Sequence, residues 1–582
     1  MKQVIQTTRA DTAARAPGVD ERRRLQGRAA LYRLAEQVGA PTSVVFIVVF
    51  IAVLLAYTIL LRLPALKPDR VIPSDTIAFL DVARLLNGAP PTQQIPFRIE
   101  YPLYPYLIFC LQAFWPDPLT AARIAAFLPS LLTPLVVFVI GWILERRVSS
   151  AMLAFFCAAS SPALMDAAMM PLSDALFILL SALTVLAQLM LLRRPSLVSA
   201  ASAGAAAGLA WAARGPGAWF PIALLGAFLT PNLAASEHKG SNAESAANVV
   251  RRRGFYFSVS LVMFLLCGLG PRIPLYLLTR NRTPDPNQCV KQVIADGSLY
   301  ARGVDYRDSR VYRLNQDCTT LASAELRLCE LTWYDFVSRY GPDQIVAFAL
   351  NMKRLVRREL TEILSPFAVL FLPLAIGVIH AASAQPLRVK LLGALFVFPF
   401  LVIIPAIQFQ PRYLYPILIP ATVVTGIGLS SMLRGDWLAR SPHKSCGPIL
   451  GCVVVGLVGV IAIDAARSSQ GDPSVWASYR KACEWIKAEG RPDVKVMSRY
   501  YGASVYLEDG RRLNLPSDSP ERVGRYCLNT NTRYILWGPL EARHNRALER
   551  MMEVGTEVGI AGAVLTVTRT FEHVKVIEIR RN

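Results

Sequence analysis

Apolar runs of about twenty residues, separated by short polar and basic stretches, dominate the chain. A run of that length crosses a bilayer as a helix. They fall at 43–62, 119–144, 150–165, 172–192, 197–213, 217–231, 254–278, 365–383, 388–408, 412–433 and 447–463, with 217–231 the shortest. One stretch after the first run breaks the pattern: VIPSDTIAFLDVARLLNGAPPTQQIPFRIEYPLYPYLIF, from Val71 to Phe109. It predicts Asp75 at the membrane surface, an amphipathic helix from Thr76 to Asn87, a Pro-rich turn, and a short apolar piece from Tyr101 to Trp115. Pro102 and Pro105 interrupt that piece. So short a segment is read as re-entrant rather than spanning. Irregular backbone at that depth needs protein or a watery cavity around it. The stretch therefore predicts a polar pocket at the bilayer edge with a carboxylate in it.

Basic residues set the sidedness. The start of the chain carries Arg22, Arg23, Arg24, Arg28 and Arg33 and reads as cytoplasmic. It is too long and polar for a cleavable signal peptide. Alternation from there leaves Glu145-Arg146-Arg147, Arg193-Arg194, Arg251-Arg252-Arg253, Arg388 to Lys390 and Arg434 to Lys444 in the cytoplasm, and each is basic. A full span at Tyr101 to Trp115 would invert that agreement. The other side receives three short loops, a large segment at 279–364, and the tail from Asp464. In the tail, Trp476 to Glu489, Pro520 to Cys527 and Leu540 to Met552 read as helices. Val494 to Ser498 and Tyr534 to Trp537 read as strands, and Val564 to Arg569 with Val574 to Ile579 as a hairpin.

The predicted architecture is an all-α polytopic membrane domain of about eleven transmembrane helices plus a re-entrant first outer loop, with a small α/β periplasmic C-terminal domain. Its boundaries are 1–42 for a basic cytoplasmic segment, 43–463 for the membrane domain and 464–582 for the tail.

The net charge is +21. On a chain that is 53% hydrophobic, this points to topology-setting loops and anionic lipid rather than nucleic acid. No phosphate-binding glycine loop, dinucleotide fingerprint, HExxH or nucleophile elbow is present. The five histidines are scattered, which argues against a histidine metal site. Cys110, Cys157, Cys267 and Cys452 lie in apolar segments and are expected to pack. Cys289, Cys318, Cys329, Cys483 and Cys527 fall on the outer side, where a Cys483–Cys527 bridge, or one among the first three, is allowed.

Three groups of residues offer chemistry. Asp75 follows a span and precedes a helix. It is either a first-turn or capping residue, a role Ser74 could equally take, or an outward-facing general base. Asp81 lies away from it around the helix and reads as a solvated charge. Asp166 and Asp174 flank Pro171 in the second outer loop. Each is a helix-end carboxylate or a functional one, orienting an acceptor or, with Asp75, holding a divalent cation. Arg98, Arg214, Arg272 and Arg412 sit at outer span ends, where the positive-inside rule disfavours them. They snorkel or clamp a phosphate. The run Asn351 to Leu360, with Lys353, Arg354, Arg357 and Arg358, reads as a helix on outer headgroups.

These motifs resemble the C-type glycosyltransferase superfamily, and more narrowly the bacterial relatives of protein O-mannosyltransferases and lipid A aminoarabinose transferases. The resemblance rests on Ser74-Asp75 with the helix ending Asn87-Gly88, then Glu100-Tyr101-Pro102-Leu103-Tyr104-Pro105. It continues through Ala122-Arg123, Ser161-Pro162, Ser173-Asp174-Ala175-Leu176-Phe177, Gly208-Leu209-Ala210 with Arg214, and Arg412-Tyr413. It spans roughly residues 43–435, and Leu103 stands where relatives often carry a second proline. The resemblance implies an outward-facing site, a polyprenyl-phosphate sugar donor and a catalytic Asp in the first loop, here Asp75. It also implies a second acidic residue in the second outer loop, here Asp174. Arg412, Tyr413, Arg214, Arg272, Glu100 and Tyr101 would then bind substrate. The expected function is transfer of a sugar, with inversion, to a lipid, glycan or protein hydroxyl on the outer face of the inner membrane. The alternative is a polytopic transporter or lipid flippase, which would show inverted repeats and paired broken helices.

Topology is directly testable. Reporter fusions at Arg147 and Ser241 should report cytoplasm, and a fusion at Asn582 the opposite side. A cytoplasmic signal at Asn582 contradicts the span pattern.

Overall fold

The computed structural model describes residues 40–89, 101–229, 243–279, 314–319, 332–355, 370–403, 411–435, 446–468, 472–489, 494–507, 511–545, 548–549 and 557–582. Two compact units result, Met1–Tyr57 and Thr58–Asn582.

In chain order the helices of the apolar part begin with α1 (Ala40–Arg62), α2 (Ser74–Leu86), α3 (Leu103–Gln112), α4 (Pro118–Glu145), α5 (Val148–Ala159) and α6 (Pro162–Met169). Then come α7 (Asp174–Arg193), α8 (Leu197–Ala213), α9 (Phe220–Leu229), α10 (Ala243–Leu269) and α11 (Arg272–Thr279). They end with α12 (Trp333–Arg354), α13 (Phe371–Ala384), α14 (Leu387–Phe398), α15 (Leu418–Arg434) and α16 (Cys446–Ser468). Every predicted apolar run carries helix. Among the described residues six helices are long and apolar enough to cross a membrane, or seven if one bent pair counts as a span.

That bent pair is α5 with α6, angled by 50°, where the sequence reading placed one continuous span. Pro162 explains the break. It cannot donate to the preceding turn and drives Ser161 to an extended ψ of 117°. The Arg62 guanidinium, fully buried, donates to the Ala159 carbonyl at 3.0 Å and satisfies the end of α5. The piece at Tyr101 to Trp115 forms only the ten-residue helix α3.

Close helix contacts hold the ends of the spans in place. In α8, Gly204 and Gly208 face α10 so tightly that a Cβ on Gly204 would lie 1.9 Å from the Ser260 carbonyl oxygen, and one on Gly208 2.4 Å from that of Phe264. Small residues four apart permit such approach in an apolar medium, where dispersion is the main attraction. Phe220 stacks on Phe177 and Phe396, with centroids 6.1 and 5.1 Å away.

Two expectations are corrected here. Asp81 is not solvated: it is 1% exposed, because α2 buries Ile77, Phe79, Leu80, Val82 and Ala83 around most of its circumference. Cys110 and Cys452 are exposed rather than packed. Of the run 351–360, residues 356–360 lie outside the described set, as do Cys289, Cys329, Arg98 and Glu100.

The tail holds helices α17 (Pro473–Ala488), α18 (Ala503–Leu507), α19 (Pro520–Asn529) and α20 (Pro539–His544) against a six-stranded sheet. The strands are β1 (Lys495–Met497), β2 (Arg512–Leu513), β3 (Thr532–Trp537), β4 (Glu557–Ile560), β5 (Ala563–Phe571) and β6 (Val574–Arg581), in the order β2-β1-β3-β6-β5-β4. The first three are mutually parallel, and the rest join antiparallel. The period of two sends Tyr534 and Leu536 into one core with α17, and Ile535 and Trp537 into another with α19. Cys483 belongs to the first core and Cys527 to the second. The bridge allowed from sequence does not form, and both thiols are free. Burial pushes the Cys527 thiol up to about 12 and Cys483 further still.

Glu541, fully buried, knots this domain. Its carboxylate accepts from the Tyr479 hydroxyl, the Ser498 hydroxyl at 2.8 Å, the Arg499 amide at 2.7 Å and the Gly538 amide at 3.0 Å. Glu541→Ala strands several buried donors at about 1–3 kcal/mol apiece. Thermal unfolding of the purified chain should show a clear loss of stability, and an unchanged transition contradicts this role.

Candidate active site

Asp75 lies in the first turn of α2, yet it is not the cap. The cap position is Pro73, which has no side-chain acceptor. The carboxylate instead meets Arg412, whose Nη2 donates to Asp75 Oδ2 at 2.8 Å. Arg412 Nη1 stands 3.7 Å from Asp174 Oδ2. The other Asp174 oxygen, Oδ1, accepts from Arg214 Nη1. A chain of alternating charge results: Asp75, Arg412, Asp174, Arg214. Its members come from the start of α2, the turn before α15, the first residue of α7 and the end of α8. Four helix ends therefore meet on one face of the apolar bundle.

Local sequence places each member. Thr76, next to Asp75, donates its hydroxyl to the Pro171 carbonyl at 3.0 Å, which ties the start of α2 to the turn before Asp174. Arg412 sits on a tight 3-10 turn, Pro411–Ile417, whose prolines fix its entry. Tyr413 follows it and lies between the arginines: the guanidinium carbons of Arg214 and Arg412 are 4.6 and 5.8 Å from its ring centre. Tyr101 packs its hydroxyl 3.0 Å from where a Cβ on Gly215 would stand, just after Arg214. Arg272 has its described contacts with Trp211 on α8. It lies 4.2 Å over the ring and donates to the carbonyl at 3.2 Å.

The charges are unequally exposed. Asp174 and Arg214 are 4% and 8% exposed at the side chain, against 19% and 22% for Asp75 and Arg412. The first pair is sealed, and the second is partly exposed. Arg412 stands between the two carboxylates, in contact with both. Among the described residues no group of three or more His, Cys, Asp or Glu could hold a metal ion.

Sequence reasoning set Asp166 aside. It is engaged nearby, accepting from the Tyr415 hydroxyl at 3.1 Å. Tyr415 follows Arg412 closely in sequence, but its partner is 249 residues away and has no local signature.

Two crystal structures of ArnT from Cupriavidus metallidurans superpose on this chain. The one bound to undecaprenyl phosphate matches with a TM-score of 0.53 at 14% identity, covering 93% of this chain and 98% of that one. The chain has the ArnT fold. The apo form of that protein gives 0.51 at 12% identity, over 92% and 98% of the two chains. No protein-family model and no curated protein matches the sequence. The largely helical architecture expected from the sequence, with a small sheet domain at its C-terminus, is thus the fold observed, and it is ArnT-like.

The sealed pair yields a stability test. Removing one partner of a buried ion pair costs about 3–5 kcal/mol, whereas removing both costs much less. Arg214→Met should lower the melting temperature more than Arg214→Met with Asp174→Leu. Equal losses would mean that the pair is not buried in the folded protein.

Proposed function

We propose that this chain is a membrane glycosyltransferase. It moves a sugar from a polyprenyl-phosphate donor to an acceptor hydroxyl at the outer face of a bacterial inner membrane. The C-terminal domain lies on that face and the N-terminus in the cytoplasm. The observation that carries the reading is the half-open Asp75–Arg412 pair at the ends of apolar helices. A polyprenyl-phosphate keeps its tail in lipid and its phosphate at the interface, so its reacting bond lies at such helix ends. ArnT, whose fold this is, has been crystallised with a lipid of that class.

The reaction follows from the charges. The acceptor oxygen attacks the anomeric carbon opposite the phosphate, and the carbon–oxygen bond to phosphate breaks. Polyprenyl phosphate leaves with the electron pair, and the hydroxyl proton passes to Asp75. The centre inverts. The leaving group is already anionic, so it needs positive charge more than a proton. Arg412 supplies that charge, and its looser 3.7 Å contact with Asp174 is the one a phosphate displaces. A phosphate also competes with Asp75 for Arg412, so donor binding frees the carboxylate for the proton. Asp174, gripped by Arg214, orients Arg412. Tyr413 and Tyr101 wall the site, and Arg272 and Glu100 contribute to donor binding.

Transfer from polyprenyl-phosphate sugars by purified protein tests this. A positioned base contributes about 10²–10⁴-fold. Asp75→Asn should lose that much turnover and keep donor binding. Arg412→Ala should weaken binding as well, because the phosphate charge exists in the ground state too. Parent-level turnover by Asp75→Asn contradicts the assignment of the base.

A further inference from the structure

The segment between α1 and Asp75 has no long secondary structure of its own, only a short turn at Leu63–Leu66. It is held from outside along its length. Arg123 of α4 donates to the Pro68 carbonyl at 2.7 Å, while the Arg70 Nε bond to the Pro64 carbonyl at 3.3 Å lies within the segment itself. The remaining holds come from the C-terminal domain. Arg480 of α17 pairs with Asp69 at 3.0 Å. Val71 packs against the α17 core of the sheet, beside Tyr479 and Tyr500. Ile72 and Ile77, buried on either side of Asp75, form a cluster with Leu119 of α4 and with Tyr501, Val505 and Tyr506 at α18.

We infer that the C-terminal domain positions Asp75: α17 and α18 grip the 69–77 strap and thereby set the carboxylate against Arg412. The tail is then part of the transferase machinery and not an independent binding module. This rests on the function proposed above. The physical reason is one of tolerance. Asp75 sits on a short helix at the open side of the site, and displacement of a reacting group by about 1 Å can cost about 10²-fold. A strap without a long helix or strand of its own needs packing from a neighbour to reach that tolerance. Arg480, Val505 and Tyr506 are positioning residues in this scheme. None of them is among the described contacts of the Asp75–Arg412 pair.

The test uses the full-length purified chain with Val505→Asp, Arg480→Ala and Arg480→Lys. Amide hydrogen exchange is followed at 71–79 and, as a control for tail folding, in the β5–β6 hairpin. With the hairpin still protected, exchange at 71–79 should rise at least about tenfold in Val505→Asp and Arg480→Ala. Their kcat should fall about 10- to 100-fold. Binding of undecaprenyl phosphate should stay within about threefold of the parent, and Arg480→Lys should recover most of the loss. If Val505→Asp unprotects the hairpin, Arg480→Ala decides. Unchanged exchange at 71–79 overturns the inference, and so does raised exchange with parent kcat. A parent that transfers no sugar from any undecaprenyl-phosphate donor contradicts the proposed function instead, and the exchange measurement still decides the positioning claim.

Discussion

The chain of alternating charge from Asp75 through Arg412 and Asp174 to Arg214 is the constraint around which the membrane part is built. Charges at bilayer depth are costly unless paired. The pairings of Arg412 join elements far apart in sequence, and the Asp174–Arg214 pair joins the neighbouring helices α7 and α8. The result is a balanced set whose inner half is sealed and whose outer half is half-open. The outer half is the more exposed of the two.

Everything near that set fixes where its members stand. The Thr76 hydroxyl ties α2 to the turn before Asp174. Gly204 and Gly208 let α8 lie against α10, which sets the height of Arg214 at the end of α8. Arg62 closes the break between α5 and α6, so that α6 can angle Asp166 toward Tyr415. The sheet domain repeats the theme on its own side, with Glu541 collecting four donors where α17, β1 and α20 meet. Its α17 and α18 then reach the strap that carries Asp75.

The helices were legible because apolar runs of span length leave little choice of structure, and the sheet because its strands alternate. Asp75, Asp174, Arg214 and Arg412 could be singled out because charges at the ends of apolar spans are costly without a partner, and the structure brings the four together. Their partnerships were not legible: Arg412 and Asp75 are 337 positions apart, and nothing local records that contact. Asp81 misled because helical spacing tells which face a residue occupies but not what covers that face. The break at Pro162 had a local cause, yet the apolar character continues across it and conceals the bend. Cys483 and Cys527 share a compartment, but the strand period puts them on opposite sides of the sheet.

The most direct measurement is an experimental structure of this chain with undecaprenyl phosphate. The account predicts the phosphate within hydrogen-bond distance of Arg412, the contact from Asp75 to Arg412 lengthened, and the Asp174–Arg214 pair unchanged. A phosphate bound away from Arg412, with the Asp75–Arg412 contact kept at its present 2.8 Å, would contradict it.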